Sequence, residues 1–367
     1  MSQAITCCGH QVFIFCTSKH SRIFIKNYWI NNVNIIEFPD LFWGKLRQGL
    51  DLWNSIRRIF YSARLNIDLM YAIDCRPTVI FPALFLKKIR KKPLILGWWD
   101  LFGQGGTIFQ RSSKVYSLTA GKIEFFFEEY FRKYADHAIV VSSFLKAKLE
   151  SQGYPSKKIS IIRVGCWIED LTKFDKFYLR NKLNIIDNRS ILCFIGTLFE
   201  KDKNLLISAL RILKNIKIKM PTTIIIGNSK IEPKICIELA IYHLGTINSF
   251  DNVKKILFSC DYALIPMTIN NANIARWPSK AADYWALGLP VIATPISDYS
   301  KLFSIYNLGF LAKDDTPDSF ANAIINAINS SSNDINIKRD AIMRYVKTEL
   351  AWPMIAKQLN ILYTQLR

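Results

Sequence analysis

RWPSKAADYWALGLPVIATP (276–295) reads as a helix joined at once to a buried strand, and the rest of the chain is best approached from it. Pro278 suits a first helical turn, Gly288 suits the stop, and PVIAT (290–294) is the unbroken apolar run of a parallel sheet. Lys280 falls in the first turn, where the helix dipole and free backbone N–H groups favour a phosphate. Asp283 follows three residues on, on the same face. A surface ion pair contributing roughly 0.2–0.5 kcal/mol explains this pair as well as a site does. A nucleoside diphosphate would also need such an arrangement, because the carboxylate can accept hydrogen bonds from ribose hydroxyls.

Strand-like runs recur on both sides. QVFIFC (11–16), NVNIIEF (32–38), NIDLMYA (66–72), PLILG (93–97), HAIVVS (137–142) and ISIIRV (159–164) fill the first half. SILCFIG (190–196), TTIIIG (222–227), CDYALIP (260–266) and PVIAT fill the second. Helix-length segments separate most of them, which predicts α/β domains with parallel, doubly wound sheets. A mixed-polarity stretch at 166–188 reads as the linker. Residues 338–366 read as helix, interrupted at Trp352–Pro353, where proline should kink or split it.

At 367 residues the chain exceeds the usual size of one core, so two domains are expected. Lys and Arg number 49 against 29 Asp and Glu, a net charge of +20 that points to nucleic acid, an anionic membrane surface or phosphorylated ligands. No nucleic-acid recognition motif is present, which disfavours the first. The eight cysteines show neither CxxC pairs nor zinc spacing and read as thiols of a reducing compartment. With no membrane-spanning run and no secretory leader, a cytoplasmic location is the expectation.

Three further segments could carry chemistry. In FIGTLFEKDKNLLISAL (194–210), Gly196 closes a strand and lets backbone approach a ligand, while Lys201 and Lys203 stand at the start of the next helix. An ordinary βα turn with solvated lysines accounts for this segment too. In LILGWWDLFGQGGTI (94–108), Asp100 ends a strand and a glycine loop follows, where a base or a hydroxyl contact belongs; a cap followed by a turn is the alternative. His137 opens a strand and reads as a donor to neighbouring backbone. LFWGKLRQGLDLWNSIRRIFYSARL (41–65) carries Lys45, Arg47, Arg57, Arg58 and Arg64 among apolar and aromatic residues, and KKIRKK (87–92) adds charge. An interfacial membrane helix and a core helix with a solvated basic side fit it equally.

In this order the segments resemble the GT-B glycosyltransferases, in particular family 4 and glycosyltransferase group 1-like enzymes. FIGTLFEKDKNLLISAL is similar to the glycine and lysine segment that meets the donor diphosphate. YHLGTINSFDNVKKILFSCDYALIPM (242–267) is similar to the stretch beside the nucleobase, and SKAADYWALGLPVIAT to the ribose-binding motif. The resemblance covers nearly the whole chain. It implies two Rossmann-like, doubly wound parallel-sheet domains facing a cleft: an acceptor domain at 1–165, a linker at 166–188 and a nucleotide-sugar domain at 189–345. A terminal helix at 346–367 would cross back to the first domain.

The implied donor residues are Gly196, Thr197, Lys201, Lys203, Gly245, Thr246, Arg276, Lys280 and Asp283; the implied acceptor residues are Trp99, Asp100, Gly105 and Gly106. Of the two glutamates of the family pattern, Ala275 replaces the first and Asp283 the second, and Thr197 stands where arginine is common. Lys280 and Asp100 are the expected catalytic residues. The implied reaction moves a sugar from a UDP- or GDP-linked donor to a lipid-linked or polysaccharide-precursor acceptor, retaining configuration, without metal or cofactor, at the inner face of the membrane. An inverting glucuronosyltransferase-like enzyme with Asp100 as base, a nucleotide-sugar epimerase and a non-catalytic partner subunit are the alternatives.

Overall fold

The computed structural model describes residues 1–41, 49–103, 105–107, 118, 120–185 and 187–367. It divides into two compact units: Met1–Val164 with Ala275–Trp277 and Trp352–Arg367, and Gly165–Ile274 with Pro278–Ala351.

In the first unit, β1 (Val12–Thr17), β2 (Lys26–Ile30) and β3 (Val33–Phe38) form one sheet in the order β1-β3-β2. The strands β4 (Met70–Ile73), β5 (Leu94–Trp98), β6 (His137–Val140) and β7 (Ile159–Ile161) form a second, in chain order and wholly parallel. The six apolar runs all become strands, but in two sheets rather than one. The extra strand β2 pairs antiparallel with β3 across a two-residue turn, Asn31–Asn32, whose φ values of 48° and 62° are those of a tight hairpin. Each β5 residue is buried. The helix Trp352–Leu366 packs Ile355, Leu359 and Leu362 against Ile95 and Ile139 and against Ala4 and Ile5 of the first helix.

The second unit holds β8 (Ile191–Ile195), β9 (Thr222–Ile226), β10 (Ile241–His243), β11 (Tyr262–Ile265), β12 (Val291–Ala293) and β13 (Gly309–Leu311) in one parallel sheet, ordered β10-β9-β8-β11-β12-β13. This is the doubly wound pattern, in which the chain starts centrally, builds outward one way and then the other. Leu205, Leu206, Ala209, Leu210 and Leu213 recur at helical spacing in Glu200–Asn215 and bury one stripe on this sheet, beside Phe320 and Ile324 of Pro317–Ile328. The reversal of strand order between β8 and β11 leaves a crevice at their carboxyl ends. Near the terminus the helix Ser332–Tyr345 runs into a wider turn, Val346–Leu350, and stops at Ala351, whose ψ is 133°. Pro353 then sits at the second position of the new helix, where its missing N–H costs nothing.

Candidate functional site

In the second unit the residues at the switch point converge. Gly196 follows β8 with φ of 105°, a conformation that favours glycine. A β-carbon at this position would lie 3.4 Å from the Lys280 ammonium. That ammonium also stands 4.0 Å from the centre of the Phe194 ring, a cation–π contact that orients the side chain along β8. The helix carrying Lys280 is shorter than its sequence suggests, Lys280–Ala286, and has no side-chain cap. The helix dipole therefore contributes less than the sequence implies, and Lys280 supplies charge at the strand end itself. Tyr284, fully buried, fixes this helix by accepting the Ile195 N–H at 2.8 Å.

Two glycines continue the wall. Gly227, after β9, donates its N–H to the Gly245 carbonyl at 2.8 Å, and a β-carbon on it would meet the Gly196 oxygen at 2.2 Å. Gly245 has φ of 66°, and nothing within 4 Å would oppose a β-carbon there. Thr197, Lys201 and Thr246 are exposed. Lys203 is committed to Glu200 at 2.8 Å and to the Lys230 carbonyl at 3.2 Å. Between Lys201 and Lys203, the buried Asp202 accepts the Thr268 N–H and hydroxyl at 2.8 and 3.0 Å, tying the helix start to the loop after β11.

Asp283 sits among groups the sequence did not connect. Burial pushes its carboxyl up to about 6, against the pull of the Lys254 ammonium and with a further push from Glu169. Lys254 bonds Glu169 at 3.0 Å and Asp251 at 3.1 Å, so one cation serves a cluster of acids. The Cys166 thiol, pushed up to about 12 mainly by burial, also feels Asp283 and Glu169. A second carboxylate thus stands by Asp283, contributed by Glu169 rather than by position 275, where Ala275 is fully buried.

In the first unit, Asp100 follows β5 on a loop held from behind. Glu128, buried, accepts the Trp98 indole N–H at 2.7 Å and the backbone N–H groups of Phe102 and Gly103 at 3.1 and 2.5 Å. Arg132 lies 3.9 Å from Glu128 and 3.9 Å from the centre of the Trp98 ring. Gly103 has no room for a side chain: a β-carbon would come 2.7 Å from the Glu128 carboxylate. Gly106 is closed off by the Leu101 carbonyl, and Gly105, with φ of 76°, is exposed. Trp99 donates to the Tyr71 hydroxyl at 3.4 Å. Glu124 and Glu128, four apart in KIEFFFEEYF, share a helix face, and that acidic pair in an aromatic helix is the signal the sequence offered.

Asp100 itself is half-buried. Burial raises its carboxyl above the ordinary range while the Arg276 guanidinium, 3.5 Å away, draws it back. Arg276, read from sequence as a donor contact, is thus grouped with the first unit and paired with Asp100. His137 contacts the Ser160 hydroxyl at 2.9 Å rather than backbone. Of the basic segment at 41–65, Lys45 and Arg47 fall outside the described residues. Among the described residues no helix is long and apolar enough to cross a membrane.

Comparison with known proteins places these observations. Residues 1–166 match the family described as Glycosyltransferase Family 4, and residues 189–330 match Glycosyl transferases group 1. Among solved structures, sucrose-phosphate synthase from Thermosynechococcus elongatus is similar with a TM-score of 0.70 at 17% identity, covering 100% of this chain and 91% of its own. A glycosyltransferase from Rickettsia africae also gives 0.70, at 13% identity, with 100% and 92% covered. The Anabaena protein HepE in complex with UDP-glucose gives 0.64 at 17% identity, with 91% and 87% covered. No curated protein matches by sequence.

Proposed function

We propose, on the premise that this chain is a glycosyltransferase with a family 4 N-terminal half and a group 1 C-terminal half, that it takes its sugar from a UDP-linked donor bound at the β8–β11 switch point. The observation that carries the proposal is the Lys280 ammonium beside Gly196 at that point, 3.4 Å from where a β-carbon would lie. There a fixed positive charge and close backbone meet the diphosphate as negative charge grows on it, and preorganised charge of this kind lowers a barrier most. Asp283 and Glu169 receive the ribose hydroxyls, and the loop at Gly245 and Thr246 borders the base. HepE, of the same fold, is known in complex with UDP-glucose, which supports a uridine donor. With Lys280 compensating the diphosphate, the reaction needs no metal.

Asp100 orients the acceptor hydroxyl, with Arg276 fixing its carboxylate, and transfer retains configuration. A second reading is favoured by one observation: burial raises the Asp100 carboxyl, as suits a general base, and inversion would follow. The acceptor is a lipid-linked or polysaccharide-precursor glycan presented at an anionic membrane surface, to which a chain of charge +20 is attracted. The test is a thermal-shift series of UDP-, GDP-, ADP- and TDP-sugars on wild type and Lys280→Ala. Stabilisation by UDP-sugars that Lys280→Ala largely loses is the expected result. Equal shifts in both proteins would remove Lys280 from the donor site, and the anomeric configuration of the product decides between retention and inversion.

A further inference from the structure

The helix Leu52–Ser62 is mounted inside out. Asn54, Ser55, Arg58 and Ser62 are turned inward and are at most 5% exposed, whereas Leu52, Trp53, Ile56 and Phe60 are 43–68% exposed. Much of the inward polar face is bonded in place. Asn54 donates to the Pro39 carbonyl at 2.7 Å, Arg58 donates to the Thr17 hydroxyl at 3.0 Å and lies over the Phe38 ring, and Ser55 and Ser62 bond within the helix. An ordinary surface helix does the reverse, because apolar side chains gain from leaving water and polar ones do not. The neighbouring helix Pro77–Arg90 also exposes Phe85 and Ile89, one turn apart, and its Arg90 donates to the Ala63 carbonyl at the end of the first helix.

The charge around this apolar surface identifies what covers it. Arg57 lies 5.5 Å from the Trp53 ring, and Lys88, Arg90 and Lys91 are exposed at the end of the second helix. A second copy of the chain, meeting this face about a two-fold axis, would set these cations against themselves. Anionic lipid headgroups complement them, while aromatic and aliphatic side chains enter the acyl boundary beneath. Eleven residues are too few to span a bilayer, so the helix lies in its surface. We propose that the outward face of Leu52–Ser62, with Phe85 and Ile89, is the surface by which this enzyme docks on an anionic bilayer. The proposal rests on the membrane reading above and assigns it a place.

Full-length protein is sedimented with vesicles of phosphatidylglycerol and phosphatidylcholine, and with phosphatidylcholine alone. Wild type is expected to bind only the anionic vesicles, and less as salt rises from about 0.05 to about 0.5 M. Trp53→Ser with Phe60→Ser should weaken that binding by about tenfold or more and leave the UDP-induced thermal shift unchanged. If that variant loses its cooperative melt, Ile56→Lys puts the same question with one exposed change. Wild-type binding that both variants retain overturns this face and leaves the membrane reading standing. Absence of wild-type binding at low salt overturns both. A dimer that the variants convert to monomer, with no change in vesicle binding, overturns the lipid as occupant.

Discussion

The Lys280 site and the Asp100 loop sit at strand ends in two units of similar architecture, yet they are built from different materials. At Lys280 the wall is backbone: Gly196, Gly227 and Gly245 close on one another, and one ammonium supplies the charge. At Asp100 the wall is a buried carboxylate, Glu128, that accepts three hydrogen bonds and faces Arg132. The lesson concerns separability. Charge that rests on a backbone frame can be removed without unfolding the frame, whereas a frame made of ionised side chains loses stability with any member.

The largest expected effect tests this directly. Glu128→Ala strands Arg132 and three donors in the core and should cost about 3–5 kcal/mol, read as a fall in urea midpoint. Lys280→Ala should leave that midpoint nearly unchanged and lower turnover by about 10²–10³-fold. A Lys280→Ala protein that melts early, or a Glu128→Ala protein that does not, breaks the contrast. Chelation by EDTA should leave transfer by the wild type intact; its loss would move charge compensation from Lys280 to a metal.

Smaller effects sharpen the comparison. The Asp283 carboxyl titrates near 6 in the folded chain and near 3.8 when unfolded, so between those pH values the folded state binds more protons. Stability therefore falls as pH rises through that window, by about 1–2 kcal/mol, and Asp283→Asn should flatten the slope. The ionised form is the one suited to accept from ribose, so UDP affinity should strengthen over the same range. Calorimetry at pH 5 and 7 checks this, and affinity independent of pH would take Asp283 away from the ribose.

The strands that shape the cores were legible because burial on both faces leaves an unbroken apolar run, as in β5, β8 and β9. Strand β2 was not, since its residues are all exposed, and neither β10 nor β13 is buried throughout. Lys280 and Gly196, eighty-four positions apart, were read as one site, and the fold brings the Lys280 ammonium to 3.4 Å from where a Gly196 β-carbon would lie. Glu169 and Lys254 escaped because nothing local marks them; only the fold carries them to Asp283. Arg276 was read as sharing the phosphate charge with Lys280, Lys201 and Lys203, and its guanidinium meets Asp100. For Leu52–Ser62 the sequence left an interfacial helix and a core-packing helix equally open, because periodicity reveals two faces and not which one turns inward.

The stacking of Gly227 between Gly196 and Gly245 has a mechanical meaning. The loops that close β8, β9 and β10 touch through main chain, so the two ends of the proposed donor crevice are mechanically linked at Gly227. A change of donor preference engineered at Thr246 would then leave the diphosphate grip undisturbed, whereas any side chain at Gly227 would pry both ends apart together.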